Sequence, residues 1–423
     1  MRYLGWLQLL LCLLVIPVYS QQSPATSEAD AALLQKIRDL EDRVIALEGQ
    51  VRTLKAQAAP AATPETAAPP STATGAPEMV TTQGAGSPSL GGAGGSAAKA
   101  LNPDISMIGD FISVAGHNTV DPSPSLQMHE SEIGMQAIID PYARGDFFLS
   151  FGEEGVDLEE GYITFTALPA GFVAKVGKMR SAFGKVNPMH NHVLPWVDRP
   201  LVTNSLVGGE DGIDDAGISI QRILPAPKGI FLEATGQLFR GDSGDQQHPL
   251  FHASTTTDLS TVEHLRGYKD ITESTNLDLG LSYARGHNDA GSNFITQLYG
   301  IDATLRWKPL RRSIYHSFVG RGEFIWSQRQ QFPSEQRAFG MYTSADYQFG
   351  RRWFVGGRYD RSGRNEFANL TDQGFSTLVT YWPSEFSQVR GQYRFTRYAG
   401  NIDANELLMQ VIFSLGAHGA HPF

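Results

Sequence analysis

The sequence predicts an all-β protein, a 16-stranded antiparallel transmembrane β-barrel preceded by a short coiled-coil helix and a disordered linker. Three observations lead to this prediction. Apolar and polar residues alternate along most of the chain after residue 102, which is the period of a β-strand. Most predicted strands are longer than is usual in soluble sheets. Their connections alternate between short and long, as in outer-membrane barrels.

The segment NLDLGLSYARG illustrates the alternation. Its large apolar residues share one face, namely Leu277, Leu279, Leu281 and Tyr283, and small or polar residues occupy the other. A soluble sandwich would turn such apolar faces inward. A membrane barrel turns them to lipid and lines its lumen with the polar faces.

The strands and their connections favour the membrane barrel. We predict strands at 104–115, 126–139, 143–152, 157–168, 171–180, 214–224, 228–240, 262–271, 275–286, 294–308, 315–328, 337–349, 352–361, 373–382, 386–398 and 405–416. The connections after even-numbered strands are short. Those after odd-numbered strands are generally longer, with 181–213 and 241–261 the longest. Because such barrels have short periplasmic turns and longer extracellular loops, both ends of the barrel are expected in the periplasm.

The N-terminal region predicts export and self-association. Residues 1–20 have the charged start and apolar run of a signal peptide. The single cysteine, Cys12, lies within it, so the cleaved chain has no thiol for a disulfide or a metal. Residues 28–57 carry apolar side chains at coiled-coil spacing, at Leu33, Ile37, Leu40, Val44, Leu47, Val51 and Leu54.

The segment before the barrel, the net charge and the positions of the aromatic residues add to this prediction. Residues 58–101 are rich in Ala, Pro, Thr, Ser and Gly, which predicts a disordered linker before the barrel at 102–423. The net charge of -10 gives no basic surplus for nucleic acid. Aromatic residues gather at predicted strand ends, as in the girdles of membrane barrels: Tyr142, Trp307, Tyr315, Trp326, Trp353, Tyr381, Trp382 and Tyr398.

This layout resembles that of the Gram-negative outer-membrane porins. The heptads make it similar to phosphate-selective and siderophore-type porins, which carry periplasmic coiled coils before the barrel. The resemblance rests on layout rather than on a diagnostic motif. It implies that the third extracellular loop, within 181–213, folds inward and narrows the lumen, and that Phe413 or Phe423 serves as the C-terminal assembly signal.

The composition of the third loop is compatible with that role. Prolines stiffen it, and Trp196 and Val193 can pack on a wall. The residues expected to meet solutes at its tip are Lys185, His190, His192, Asp198 and Arg199. His190 and His192 have the H-x-H spacing of zinc ligands, but such a site needs a third and a fourth ligand, of which Asp198 could supply one. The sequence therefore favours pore lining or loop packing, and we predict no metal and no other cofactor.

Charged residues of both signs fall on the predicted inner faces. The candidates for pore lining are Lys175, Arg306, Arg321, Glu323, Asp346, Arg358, Arg390 and Arg394. They would present transverse fields to solutes or form ion pairs along the wall. The mixture of signs does not indicate phosphate selectivity.

The function predicted from these features is that of an outer-membrane porin, which passes small hydrophilic solutes or ions by passive diffusion. The alternative is an outer-membrane receptor or uptake barrel for a metal or siderophore, although TonB-coupled receptors have 22 strands and a folded plug. The sequence contains no G-x-S-x-G, H-E-x-x-H or P-loop motif, so an enzyme is not predicted. The expected partners are outer-membrane lipid, the solutes and other copies of the chain, with a trimer favoured.

Overall fold

Sixteen antiparallel strands close into a barrel in the computed structural model, which describes residues 103–152, 155–245, 248–291 and 293–416. The strands are β1 (Asp104–His117), β2 (Leu126–Asp140), β3 (Ala143–Gly152), β4 (Gly155–Phe165), β5 (Phe172–Arg180), β6 (Asp214–Ile223), β7 (Ile230–Phe239), β8 (Ser260–Thr272), β9 (Thr275–His287), β10 (Ile295–Trp307), β11 (Ser317–Arg329), β12 (Gln336–Gly350), β13 (Trp353–Gly363), β14 (Thr371–Ser384), β15 (Ser387–Tyr398) and β16 (Ile402–Gly416). The predicted signal peptide, coiled coil, linker and Phe423 lie outside the described residues.

Each strand pairs with its neighbours in the chain, and β1 closes the ring by pairing with β16. The predicted barrel is therefore confirmed. Every predicted strand is present, and its ends differ from the prediction by three residues at most. Closure leaves no free sheet edge, which is what allows a sheet to cross lipid without unpaired backbone groups.

The two faces of the wall differ in polarity. On β9, the outward side chains of Leu279 and Leu281 are 48% and 53% exposed, whereas the intervening Gly280 and the adjacent Asp278 and Ser282 are buried. The same alternation holds along most strands. The outer surface is therefore apolar and the interior polar, the reverse of a soluble barrel.

Most of the predicted girdle residues lie on the outer surface. Trp353 is exposed and packs on Tyr381 of the next strand, with ring centroids 4.5 Å apart. Tyr398 is an exception, because it falls at an inward position of β15. It is buried, and its hydroxyl accepts a hydrogen bond from Asn118. Within the described ranges, no helix is long and apolar enough to cross a membrane.

The connection between β5 and β6, residues 181–213, folds against the polar face of the wall, and we call it the inner loop. It contains a 3-10 turn at Asn191–Val193 and one short helix, α1 (Leu201–Leu206). Apolar side chains of the inner loop form a core with apolar side chains of the wall. This core includes Phe183, Leu194, Trp196, Val202, Leu206, Leu298, Ile325 and Tyr342.

Candidate functional site: the loop inside the barrel

The inner loop is closed at its base by one side chain. Nδ2 of Asn187 donates to the carbonyl oxygens of Ser181 and Ile213, at 3.0 and 3.1 Å, and its Oδ1 accepts from the amide of Ile213 at 2.8 Å. Gly212 sits beside it with a φ of 66°, and a Cβ there would lie 2.2 Å from Oδ1 of Asn187. The return of the chain at Gly212 therefore requires glycine.

The first arm of the loop rests on β9 and β11. The ammonium of Lys185 lies 3.0 Å from Oδ2 of Asp278, and the amide of Gly184 donates to Ser282 at 2.9 Å. Glu323 is buried beneath this arm and accepts a hydrogen bond from the amide of Lys185. Gly184 has a φ of 62°, and a Cβ there would lie 1.7 Å from Oε1 of Glu323. Glu323 therefore supports the loop backbone instead of facing an open lumen.

Trp196 is the largest fully buried side chain of the protein's described part. Its ring meets that of Tyr342 edge to face, with centroids 5.0 Å apart, and the guanidinium carbon of Arg358 lies 4.9 Å from its ring centroid. The predicted packing of Trp196 on the wall is observed. Aromatic and cation–π contacts of this kind add to the stabilisation that burial itself provides.

Asp198 joins the loop to β13 and β15. Its Oδ2 lies 2.9 Å from Nη2 of Arg358 and 3.0 Å from Nη1 of Arg394, and its Oδ1 accepts from Gln392. Burial raises the pKa of Asp198, but the two guanidinium groups outweigh that effect and hold the pKa at about 2. The carboxylate is therefore charged throughout the ordinary pH range.

Arg390 also binds the loop. Its Nη1 donates to the carbonyl oxygens of Leu194 and Trp196, at 2.9 and 3.0 Å, and to Oε1 of Gln410. Arg358, Arg390 and Arg394 were candidates for pore lining, and their role needs correction. All three point inward as the alternation predicts, but each donates both to the loop and to a neighbouring residue of the wall.

Two histidines of the loop enter a cluster of glutamates on β2 and β4. Nδ1 of His190 lies 2.5 Å from Oε2 of Glu132 and 3.0 Å from Oε2 of Glu159, and its Nε2 lies 2.9 Å from Oε2 of Glu160. Nδ1 of His192 lies 3.5 Å from Oε1 of Glu130. We call these six residues the His–Glu cluster.

His190 and His192 are buried among carboxylates, which affects their charge. Burial lowers the pKa of His190, but hydrogen bonds with Glu132, Glu159 and Glu160 outweigh it and raise the pKa well above its usual value. Both imidazoles are at most 6% exposed. The expectation that His190 and His192 meet solutes needs correction, because the loop turns them into the wall.

Arg199 is likewise buried, against expectation. Its Nε donates to Oδ1 of Asn191 at 2.9 Å and its Nη2 to the carbonyl of Met189 at 2.6 Å, so it braces the loop internally. Burial, reinforced by repulsion from Arg180, lowers the pKa of Arg199 to about 10.

Four of the predicted lining residues keep contact with solvent. Arg306 is about one quarter exposed, and its Nη1 lies 3.8 Å from Asp278. Arg321 and Asp346 form an ion pair on the inner face, with 19% and 14% of their side chains exposed. Lys175 lies 4.4 Å from the ring centroid of Tyr162.

Polar cavities lie where the long connections gather. One, of about 420 Å³, has more acidic than basic side chains in its lining, among them Asp157, Lys178, Asp211, Asp214, Arg240 and Asp242. A second, of about 140 Å³, reaches Glu130 and Glu159 of the His–Glu cluster.

Sequence reasoning missed three of the glutamates and the role of Asn187. Alternation along β4 puts Glu160 on the inner face, but no sequence signal connects it with the histidines. Glu130 and Glu132 alternate along β2 as E-x-E, which does signal two carboxylates on one face. Their meeting with His190 depends on how the loop folds.

The closed ring of sixteen strands, its apolar outer surface and the loop folded inside give this chain the fold of the outer-membrane porins, which the resemblance in layout implied. Among solved structures it is similar to the anion-selective porin from Comamonas acidovorans, with a TM-score of 0.51 and 11% identity, covering 74% of this chain and 99% of that one. It is also similar to the outer-membrane channel DcaP of Acinetobacter baumannii, with a TM-score of 0.50, 11% identity and coverage of 74% and 96%. At these identities the likeness is one of fold.

By sequence, the chain is similar to a protein of Aquifex aeolicus that is described only as uncharacterized. The two are 28% identical, and the match covers 77% of this chain and 81% of the relative. No family model matches the chain.

Proposed function

We propose that the protein is an outer-membrane porin that lets small hydrophilic solutes or ions diffuse passively past the inner loop. The observation that carries this proposal is a polar, charged loop tied across the lumen of a closed 16-strand barrel whose outer surface is apolar. Barrels of this size have room for an aqueous channel, whereas eight-stranded barrels are filled by side chains.

Passage through the barrel would be governed by the loop. The loop contacts the wall at β2, β4, β9, β11, β13 and β15 through polar and charged groups. Because these contacts are distributed around much of the ring, the proposal requires only a narrow passage beside the loop. The solvent-accessible charges there, Lys185, Arg306, Arg321 and Asp346, would set ion preference.

The proposal includes an orientation of the barrel in the outer membrane and self-association of the chains. The long connections would face outward and the short turns the periplasm, together with the predicted coiled coil at 28–57. Self-association through the heptads, with a trimer favoured, would hold barrels side by side in outer-membrane lipid. No catalysis is proposed.

The direct test is single-channel conductance of the full chain in planar bilayers, compared with a variant whose residues 188–200 are replaced by a Gly-Ser linker. That variant keeps Asn187 and the base of the loop. We expect a small conductance in the parent and a larger one in the variant. Equal conductance in two folded proteins would place the loop outside the conducting path.

The second candidate is the receptor or uptake barrel for a metal or siderophore. The extent of contact between loop and wall favours it, because a loop held on most sides acts as a plug. It predicts that the parent conducts no ions at all while the shortened variant does. The bilayer measurement therefore separates the two functions.

A further inference from the structure

We infer that Glu130, Glu132, His190 and His192 form a binding site for a divalent transition-metal ion of the Zn²⁺ class, buried between the inner loop and β2. Each residue offers one ligand atom, and these four atoms all lie within 4.8 Å of one another. The four side chains are at most 6% exposed.

The distances between the ligand atoms scatter around the spacing of a tetrahedral site. Nδ1 of His190 lies 2.5 Å from Oε2 of Glu132, and Nδ1 of His192 lies 3.5 and 3.9 Å from the glutamate oxygens that it faces. Zinc bonds of about 2.0–2.2 Å to nitrogen and oxygen place neighbouring ligand atoms roughly 3.3 Å apart. Small side-chain rotations would bring all four atoms to that spacing around one ion.

Glu160 occupies the position of a supporting residue. Its Oε2 lies 2.9 Å from Nε2 of His190, on the side of the ring away from Glu132. Metal binding at Nδ1 of His190 would release the proton from that nitrogen, and the Glu160 carboxylate would accept a hydrogen bond from the Nε2 proton that remains. This is the arrangement found behind many histidine ligands.

The charge of the His–Glu cluster also calls for a cation. Four carboxylates meet in a buried region, and Arg180 is near them at 3.6 Å from Glu159. Oε1 of Glu132 is buried and receives no hydrogen bond from any described residue, and Nδ1 of His192 lies 3.5 Å from Oε1 of Glu130. Buried carboxylates are stable when they are paired or when they coordinate a metal. A divalent ion bound to neutral His190 and His192 would replace the imidazolium protons as the counter-charge of these carboxylates.

The four ligand atoms indicate which class of ion would bind, and a polar cavity gives the ion access to the site. Two imidazole nitrogens and two carboxylate oxygens suit Zn²⁺ and its first-row neighbours, whereas Ca²⁺ and Mg²⁺ prefer oxygen alone. Glu130 and Glu159 line the cavity of about 140 Å³, which gives a hydrated ion a polar approach to the cluster. Asp198, the third ligand suggested by the sequence, is engaged with Arg358 and Arg394 instead.

The test uses the full chain, folded in detergent without a polyhistidine tag and stripped with a chelator. Co²⁺ is added as a spectroscopic probe, and Zn²⁺ binding is measured by calorimetry. We expect roughly one ion per chain and the intense visible absorption of tetrahedral Co²⁺. His192→Gln and the double change Glu130→Gln with Glu132→Gln should weaken Zn²⁺ binding at least 100-fold, and Glu160→Gln about 10–100-fold.

His248→Gln is the matched control, because His248 lies in another loop, is 40% exposed and pairs with Asp245. It should leave affinity unchanged. Folding of each variant is checked by its heat-dependent mobility on gels. The inference is overturned if the parent binds no Co²⁺, if its spectrum is that of an octahedral all-oxygen site, or if folded cluster variants bind as tightly as the parent. The parent's spectrum decides the matter even if the variants fail to fold.

Discussion

Oδ2 of Asp198 lies 2.9 Å from Nη2 of Arg358, although the two residues are 160 positions apart in the chain. Arg358 is on β13, halfway around the ring from β5, where the inner loop begins. This ion pair therefore reaches the wall opposite the loop's own base. Together with Arg394 and Gln392, it holds the far end of the loop in place.

Asp198→Asn should loosen the far end of the loop. The change keeps the size of the side chain but removes the carboxylate that Arg358 and Arg394 share. Each guanidinium keeps one partner on the wall, Asp360 or Glu406, so the cost should stay below the about 3–5 kcal/mol of a fully broken buried pair. We expect a lower unfolding temperature and faster protease cleavage within 188–200. The control is Asp403→Asn, since Asp403 pairs with Arg397 at the surface. Similar behaviour of both variants would contradict an anchoring role.

Trp196→Ala should destabilise the barrel from within. Removing a fully buried indole leaves a cavity beside Tyr342 and Arg358, and such truncations cost about 3–5 kcal/mol. Denaturant unfolding from lipid vesicles measures the free energy of unfolding. Phe367→Ala, at a position 55% exposed, should change it little. A Trp196 variant as stable as the parent would mean that the loop core does not support the wall.

Leu279→Arg should impair insertion into lipid. Leu279 faces outward on β9, and a cation on the lipid face near the bilayer midplane costs about 2–4 kcal/mol. Ile271→Arg is the matched control: Ile271 is also exposed, but it lies at the end of β8, where the cost falls to about 0–1 kcal/mol. Folding yield into vesicles compares the two. Equal yields would place the membrane elsewhere on the barrel.

Arg306→Gln and Arg390→Gln should affect conduction in different ways. Arg306 touches solvent, so its loss should shift the reversal potential toward cation preference without changing stability. Arg390 is buried and donates to the loop backbone, so its loss should loosen the loop and raise conductance. Reversal potentials and single-channel currents in planar bilayers separate the two effects. The distinction fails if both variants change only selectivity.

The sequence by itself determined the barrel and its faces. Alternation with period two fixes which side chains point outward, because successive residues of a strand face opposite sides. It placed Leu279 outside and Arg358 inside. The number and length of the strands, with their connections, correctly predicted a closed barrel of sixteen strands. Trp196 was recognised as an anchor because a large apolar side chain in a polar loop needs a wall to cover it.

Only the tertiary structure decided which partners the inward-facing side chains contact. Asp198 meets Arg358, and His190 meets Glu132, through a loop whose path depends on contacts with strands far away in sequence. No periodicity encodes such meetings, because they arise when an irregular segment finds complementary charge across the lumen. The candidate constriction residues His190, His192 and Arg199 are therefore buried and hold the loop in place. The glutamates of the His–Glu cluster could be recognised only from the three-dimensional structure.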